Sequence, residues 1–301
     1  HWAELLVIAP ATADVIARIA LGRADDPLSA IGLATQSPIV LAPAMEDGMW
    51  HNPQTQEHIS RLRERGALIV APEVGALASG RSGAGRLAEP EVILEHVVRR
   101  LSDRALAGAR TLVTAGPTRE HFDPVRFISN PSSGRMGYAL ARQAARAGAD
   151  VTLVCGPVDQ PTPIGARRID VVTTQEMLAA GRSVIDDIDV VLMAAAPVDM
   201  RPSETRLQKQ KKGDLDMRIQ LERTPDILST LDARQRDRIV VGFAAETEEL
   251  ERYAIGKLEQ KNLDAIVGNL VGKPGQGFGA DSNRGVLFTR AGEKIVLPLE
   301  E

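Results

Sequence analysis

The sequence predicts an α/β protein of two doubly wound domains, each a mostly parallel sheet covered by helices. Three observations carry the prediction. Short apolar runs alternate with longer helical patterns along the chain, which is how right-handed strand–helix–strand crossovers read. Aromatic residues make up only 3%, so Val, Ile, Leu and Ala must fill the cores, as in buried parallel strands under Ala-rich helices. The chain has 301 residues, twice a typical domain of about 150.

Each element follows from a local pattern. Leu5–Pro10 reads as a buried strand, followed by a helix from Thr12 to Leu21. Pro38–Pro43 is a second strand with a polar helix over Gln54–Arg65, and Ala67–Pro72 a third. A glycine-rich loop, Gly75–Gly85, leads to a helix over Glu89–Leu101. Periodicity lapses over residues 103–109, the predicted linker between a first domain at 1–102 and a second at 110–301. The second domain opens with the strand Thr111–Pro117. A long loop then reaches Ser132-Ser-Gly-Arg-Met-Gly137 and an Ala-rich helix ending near Gly148, a residue suited to the left-handed position after a helix. Strands follow at Asp150–Cys155, Arg168–Val172, Asp189–Ala196, Met217–Leu221, Arg238–Phe243 and Asp264–Leu270, with helices over Gln175–Ile185 and Glu248–Gln260. The tail, Gly285–Pro298, alternates like an antiparallel hairpin.

Composition removes several function classes. Lys and Arg number 36 against 40 Asp and Glu, a net charge of -4, so no basic surplus favours nucleic acid. No run approaches the roughly 18 apolar residues that cross a bilayer. Small molecules are the expected partners, with neither nucleic acid nor membrane. The single cysteine, Cys155, cannot form an internal disulfide, and no Cys/His cluster offers a zinc site. A reducing, cytoplasmic setting is expected. The chain begins at His1, without Met, inside the lead-in to a strand, and is expected to be a piece truncated at its N-terminus.

In open α/β sheets, ligands collect beyond the carboxyl ends of the strands. The first domain places Ala9-Pro-Ala-Thr-Ala-Asp14, Pro43-Ala-Met-Glu-Asp-Gly48 and the Gly75–Gly85 loop there. Small residues would let a flat or phosphorylated ligand approach closely; equally, Gly/Pro loops read as simple strand ends. In the second domain, Ser132–Gly137 opens a helix whose free N–H groups suit an anion. It is not the glycine fingerprint of a nicotinamide reductase, and the acidic residue that should follow one is missing. Lys209-Gln-Lys-Lys212 reads as a solvated face or as a flap over a triphosphate. Lys257 and Lys261 lie four apart on one helix face. Together these groups point to a nucleotide polyphosphate.

The same residues carry a resemblance. Thr114-Ala-Gly-Pro-Thr-Arg-Glu120, Asp123-Pro-Val-Arg-Phe-Ile-Ser-Asn-Pro-Ser-Ser-Gly-Arg-Met-Gly137, Ala194-Ala-Ala-x-x-Asp199, Lys209-x-Lys-Lys212, Thr224-Pro-Asp-Ile227, Val241–Thr247, Lys261-Asn-x-Asp264 and Gly277-Phe278 resemble the phosphopantothenate–cysteine ligase domain of coenzyme A biosynthesis. Upstream, Ala9-Pro-Ala-Thr-Ala, Pro43-Ala-Met and the glycine-rich loop resemble the flavin-dependent phosphopantothenoylcysteine decarboxylase often fused to it. The resemblance implies a partial flavodoxin-like domain followed by a Rossmann-like ligase domain. CTP would activate the carboxylate of 4′-phosphopantothenate as an acyl-cytidylate, cysteine would displace CMP, and an FMN-dependent decarboxylation would yield 4′-phosphopantetheine. The implied CTP site is Met193, Ala194, Ala195, Asp199, Lys209, Pro225, Asp226, Ile227, Leu228, Phe243, Lys257 and Lys261. Lys209 would stabilise charge on the phosphates, Asp199 accept from the ribose, Phe243 wall the base, and Asn130 handle the acyl-cytidylate, its amide able to position both carbonyl and amine. Ala11, Thr12, Ala13 and Met45 would meet FMN or substrate. Mg²⁺ is expected with the triphosphate, with no protein ligands identified. A homo-oligomer is also implied.

The first domain departs from that family in two places. The frequent Pro-Ala-Met-Asn reads Pro43-Ala-Met-Glu46, and the cysteine that serves as proton donor is replaced by Ser79. An alkyl hydroxyl is a far weaker acid than a thiol, whose ordinary pKa is about 8.5. The family's catalytic histidine falls upstream of His1, and His51, His58, His96 and His121 read as surface residues. The alternative expectation is a ligase whose first domain is a non-catalytic flavin-binding or oligomerisation module.

Overall fold

The computed structural model describes residues 2–209, 218–231, 237–271 and 285–297. Lys211, Lys212, Gly277, Phe278 and Met217, the first residue of the predicted strand Met217–Leu221, lie outside them, and of that strand only Leu221 is extended, as the start of a strand over Leu221–Arg223. The chain divides into two compact units, His1–Asp103 and Arg104–Glu301. Residues 104–109 turn tightly within the second, Leu106 N–H donating to the Ala147 carbonyl.

The first unit follows the order β1 (Leu6–Ala11), α1 (Ala13–Leu21), α2 (Pro27–Ala34), β2 (Ile39–Pro43), α3 (Asp47–Trp50), α4 (Pro53–Glu64), β3 (Leu68–Ile69), β4 (Glu73–Ala76), β5 (Ser82–Arg86) and α5 (Pro90–Leu101). Strands β1, β2 and β3 form a parallel sheet in that order. Alternation in β2 splits the core between its faces: Leu41 joins Ile16, Ile19, Ile59 and Leu62 of α1 and α4, while Val40 and Ala42 join Ile93 of α5. Thr12 caps α1, its hydroxyl accepting from Val15 N–H, and Gly22 ends it in the left-handed region at φ 69°. Asp26 and Ser29 form a reciprocal capping box that starts α2, a helix the apolar periodicity does not predict. The glycine-rich segment is not a plain loop, as its composition suggests, but the antiparallel hairpin β4–β5. The third predicted strand contributes only Leu68 and Ile69 to the sheet.

The second unit runs β6 (Arg110–Ala115), β7 (Arg119–His121), β8 (Phe127–Ser129), α6 (Arg135–Arg146), β9 (Asp150–Cys155), β10 (Ala166–Asp170), α7 (Thr174–Arg182), β11 (Val190–Met193), β12 (Met200–Pro202), β13 (Leu221–Arg223), α8 (Ile227–Thr230), β14 (Ile239–Glu246), α9 (Leu250–Gln260), β15 (Ala265–Leu270), β16 (Gly285–Thr289) and β17 (Lys294–Val296). Its eight-stranded sheet has the order β10-β9-β6-β11-β14-β15-β16-β17. The first six strands are parallel and the last two join antiparallel. From β6 the chain moves outward through β9 to β10, then returns to the other flank of β6 as β11. Strand order therefore reverses between β6 and β11, the switch point beyond whose carboxyl ends open α/β sheets form their ligand crevice. Val113, Leu153 and Cys155 pack on one face with Tyr138 and Ala141 of α6; Leu112, Val191 and Val240 pack on the other with Met177, Ala254 and Leu258. Gly137 is what lets α6 sit close: a Cβ there would lie 2.5 Å from the Ala115 Cβ. The predicted long loop before α6 contains the hairpin β7–β8, and no described helix is long and apolar enough to cross a membrane.

Candidate functional site

In the first unit, the carboxyl ends of β1 and β2 carry alanine and proline. Ala9, Pro10 and Thr12 are exposed, Ala11 is buried, and Ala44 N–H donates to the Ala11 carbonyl. These small groups bring the main chain to the surface beside the start of α1, a floor that a planar ring can rest on. Ala13 begins that helix, and Met45 follows β2. The β4–β5 hairpin folds onto residues 45–47. Met45 N–H donates to the Gly85 carbonyl at 2.9 Å, and Ala84 N–H to Asp47 Oδ1 at 2.8 Å. Gly85, at φ 139°, admits no side chain: a Cβ would lie 2.1 Å from the Met45 carbonyl oxygen. At the hairpin tip, Ser79 Oγ donates to Glu46 Oε2 at 2.9 Å and Ser79 N–H to Glu46 Oε1 at 3.3 Å. The two departures from the family pattern are thus in contact.

In the second unit, the crevice between β6 and β11 is sewn together by hydroxyl and amide groups. Thr114 Oγ1 accepts from Ala195 N–H at 3.2 Å and reaches the Met193 sulfur at 3.8 Å. Pro117 bridges to Ala196. Asn130 Nδ2 donates to the carbonyls of Ala196 and Pro197 at 3.2 and 2.9 Å. Two carbonyl partners fix the orientation of the amide and occupy both N–H donors, so Asn130 has only its Oδ1 for a ligand. This narrows the expected role, in which both ends of the amide served. Asp199 is exposed, and its carbonyl accepts from Thr224 N–H at 3.1 Å, tying the residues before Pro225 to the crevice.

The predicted cations are placed by carboxylates. Lys257 Nζ lies 2.6 Å from Glu246 Oε1 at the end of β14, and Lys261 Nζ lies 3.2 Å from Asp226 Oδ2. Asp226 also caps α8, accepting from Ser229 N–H at 3.2 Å. Burial works to raise its carboxyl, but the Ser229 amide and the Lys261 ammonium outweigh it and hold Asp226 below the ordinary carboxylate range. Ile227 is buried beneath this cap, with Leu228 packed against the same core. Ala194 is half-buried after β11, and Phe243 is half-buried within β14 beside Val267. Lys209 is exposed in the segment after β12.

Sequence reasoning missed a buried network behind the crevice. Glu120 accepts from Thr174 N–H and Oγ1 at 2.7 and 2.8 Å, Thr118 and Thr174 hydroxyls meet at 2.9 Å, and Val198 N–H donates to Thr118 Oγ1 at 2.9 Å. The only local signal was a glutamate and two threonines flanking apolar runs, a pattern also expected of a surface. Glu246 was likewise within a quoted motif but given no role.

Comparison with known proteins places both units. Residues 1–102 match the family model described as Flavoprotein, and residues 106–301 match the DNA/pantothenate metabolism flavoprotein C-terminal domain. The chain is 46% identical over 301 residues to the coenzyme A biosynthesis bifunctional protein CoaBC of Vibrio cholerae, covering 99% of this chain and 75% of that one. Its counterpart in Bacillus subtilis is 44% identical over 302 residues, with 99% and 74% covered. The crystal structure of the C-terminal domain of a coenzyme A biosynthesis bifunctional protein CoaBC superposes with a TM-score of 0.56 at 41% identity, covering 66% of this chain and 90% of that one. The chain belongs to the family of coenzyme A biosynthesis bifunctional proteins, a flavoprotein unit joined to a pantothenate-metabolism unit.

Proposed function

We propose that the second unit couples 4′-phosphopantothenate to cysteine at the expense of CTP, and that the first decarboxylates the product to 4′-phosphopantetheine with FMN. The observation that carries the ligase reading is the furnished switch point: Asn130 sewn to the Ala196 and Pro197 carbonyls at the end of β11, where α/β sheets hold their ligands. Met193, Ala194 and Ala195 line the crevice for the nucleotide, and Asp199 accepts from its ribose. Phe243 supplies an apolar wall, and Pro225 to Leu228 shape the adjoining loop. Lys209, Lys257 and Lys261 meet the phosphates, and Lys209 offsets charge gathering on the α-phosphate and departing pyrophosphate. Asn130 Oδ1 accepts from the incoming amine of cysteine. Among the described residues, no three His, Cys, Asp or Glu side chains converge to hold a metal.

In the first unit, the alanine floor and the start of α1 fit a flavin ring, with Ala11, Thr12, Ala13 and Met45 around it. FMN supplies a reversible electron sink for decarboxylation. The hairpin closes over residues 45–47 and excludes water from the substrate. A purely binding first unit is not favoured, since the relatives over 99% of the chain are bifunctional proteins.

The full-length protein given CTP, 4′-phosphopantothenate and cysteine should release CMP and pyrophosphate only when all three are present; no CMP would remove the ligase reading. Lys209→Gln should lower CMP release by about 100-fold while the protein stays folded, the loss expected when a preorganised charge is removed. Near-parental turnover would take Lys209 out of its role.

A further inference from the structure

Glu46 and Ser79 stand 33 positions apart in sequence and meet at 2.9 Å. The contact is not needed to seat the hairpin. Met45 with Gly85 and Ala84 with Asp47 already do that, and Gly83 fits so closely that a Cβ would lie 2.7 Å from the Asp47 Cβ. What Glu46 adds is a group able to hold a proton beside a hydroxyl. Ser79 is exposed at the tip, and Glu46 is half-buried at the end of β2, where the substrate must lie if this edge is the decarboxylase site.

Decarboxylation needs such a proton. The bond from carbon to carboxylate breaks, carbon dioxide leaves, and the electron pair remains on the substrate. The product forms when one proton reaches that carbon, so carboxylate plus proton gives product plus carbon dioxide, with no net oxidation. A lone serine hydroxyl would have to leave as an alkoxide, which makes it a poor acid. Beside a carboxylic acid it need not: it gives its proton to carbon while taking one from its neighbour. Serine stays neutral, and the carboxylate left behind is reloaded from water.

We infer that Glu46 is the proton reservoir of the decarboxylase half, acting through the Ser79 hydroxyl, which delivers the proton to the carbon that has lost carbon dioxide. The inference rests on the decarboxylase reading of the first unit. Ser79 is the catalytic residue and Glu46 the positioning residue that supplies it. Their appearance together then has a reason: a hydroxyl in place of a thiol works only with an acid beside it.

The test uses the full-length, FMN-loaded protein and 4′-phosphopantothenoylcysteine, with rapid quenching to follow carbon dioxide and product separately. Glu46→Gln keeps an acceptor for the Ser79 amide but has no proton to give. It should release about one equivalent of carbon dioxide per site and then turn over about 100-fold more slowly, with KM little changed, the size of a lost general acid. Adding Ser79→Cys should restore at least about tenfold, because a thiol of ordinary pKa about 8.5 is its own acid. Glu46→Gln at parental speed overturns the inference, as does a double variant no faster than the single one. So does loss of the carbon dioxide burst along with turnover, which would place Glu46 before the proton step. A parent that releases no carbon dioxide removes the decarboxylase reading itself, a different failure from any in the variants.

Discussion

The two sheets end in the same way and are furnished differently. At the first, small residues make the floor and a glycine hairpin is held by main-chain bonds, with one carboxylate touching one hydroxyl at its tip. At the second, an asparagine donates to two successive carbonyls in the segment after β11, and two lysines at the end of α9, Lys257 and Lys261, stand in ion pairs with Glu246 of β14 and with Asp226, the cap of α8. Parallel architecture fixes where a ligand goes; the residues after each strand fix what kind. Alanine, proline and glycine suit a flat ring and a carboxyl touching a hydroxyl suits the movement of a proton, whereas cations and a sewn amide suit phosphates and an acyl transfer.

The difference breaks most severely at Asn130. Asn130→Asp would set a carboxylate against the Ala196 and Pro197 carbonyls, with neither N–H left, and CMP release should fall on the order of 100-fold, matching about 3 kcal/mol for buried polar groups left unmet. Carbon dioxide release should persist, and its loss would mean the two edges are not separable. Gly137→Ala comes next. Its methyl would lie 2.5 Å from the Ala115 Cβ, so the second unit should lose about 1–3 kcal/mol, read as a lower thermal midpoint. An unchanged midpoint would show that α6 can shift without cost.

The smallest effects come from the capping carboxylates, one in each unit. Asp26 accepts from Ser29 and Leu28 N–H and pairs with Arg18, and the Ser29 backbone bond leads in pushing its pKa down to about 2. Asp226 lies below its ordinary value through Ser229 and Lys261. A carboxyl whose folded pKa is depressed stabilises the protein above its unfolded value of 3.8 and loses that contribution as pH falls through the folded value. Unfolding midpoints should therefore decline between about pH 4 and pH 2, and Asp26→Asn should flatten the first unit's share of that decline. An unaltered acid profile in Asp26→Asn would remove the cap from the account.

The long parallel strands were legible because burial on both faces leaves a near-continuous apolar run: Asp150–Cys155, with Val151, Leu153, Val154 and Cys155 buried, is the predicted strand residue for residue. The glycine hairpin was not. Val74 pairs with Ala84 and Gly75 with Gly83; Val74 alone of these four favours a strand, and docking on Asp47 holds the hairpin in place. Helix α2 hid because its signal is the Asp26–Ser29 box rather than an apolar stripe. Among candidate site residues, side-chain types were readable but partners were not. Lys261 and Asp226 are 35 positions apart and Glu46 and Ser79 33, separations that only the folded chain closes.

The ion pairs of Lys257 and Lys261 also bear on how binding would respond to salt. Each ammonium already has an anion before a nucleotide arrives, so phosphate would displace a carboxylate rather than meet a bare cation. Such an exchange is nearly isocoulombic: the released Glu246 and Asp226 regain water as the phosphates lose it. Added electrolyte screens both sides of the exchange alike, so affinity for a triphosphate should depend on ionic strength less steeply than the number of lysines implies.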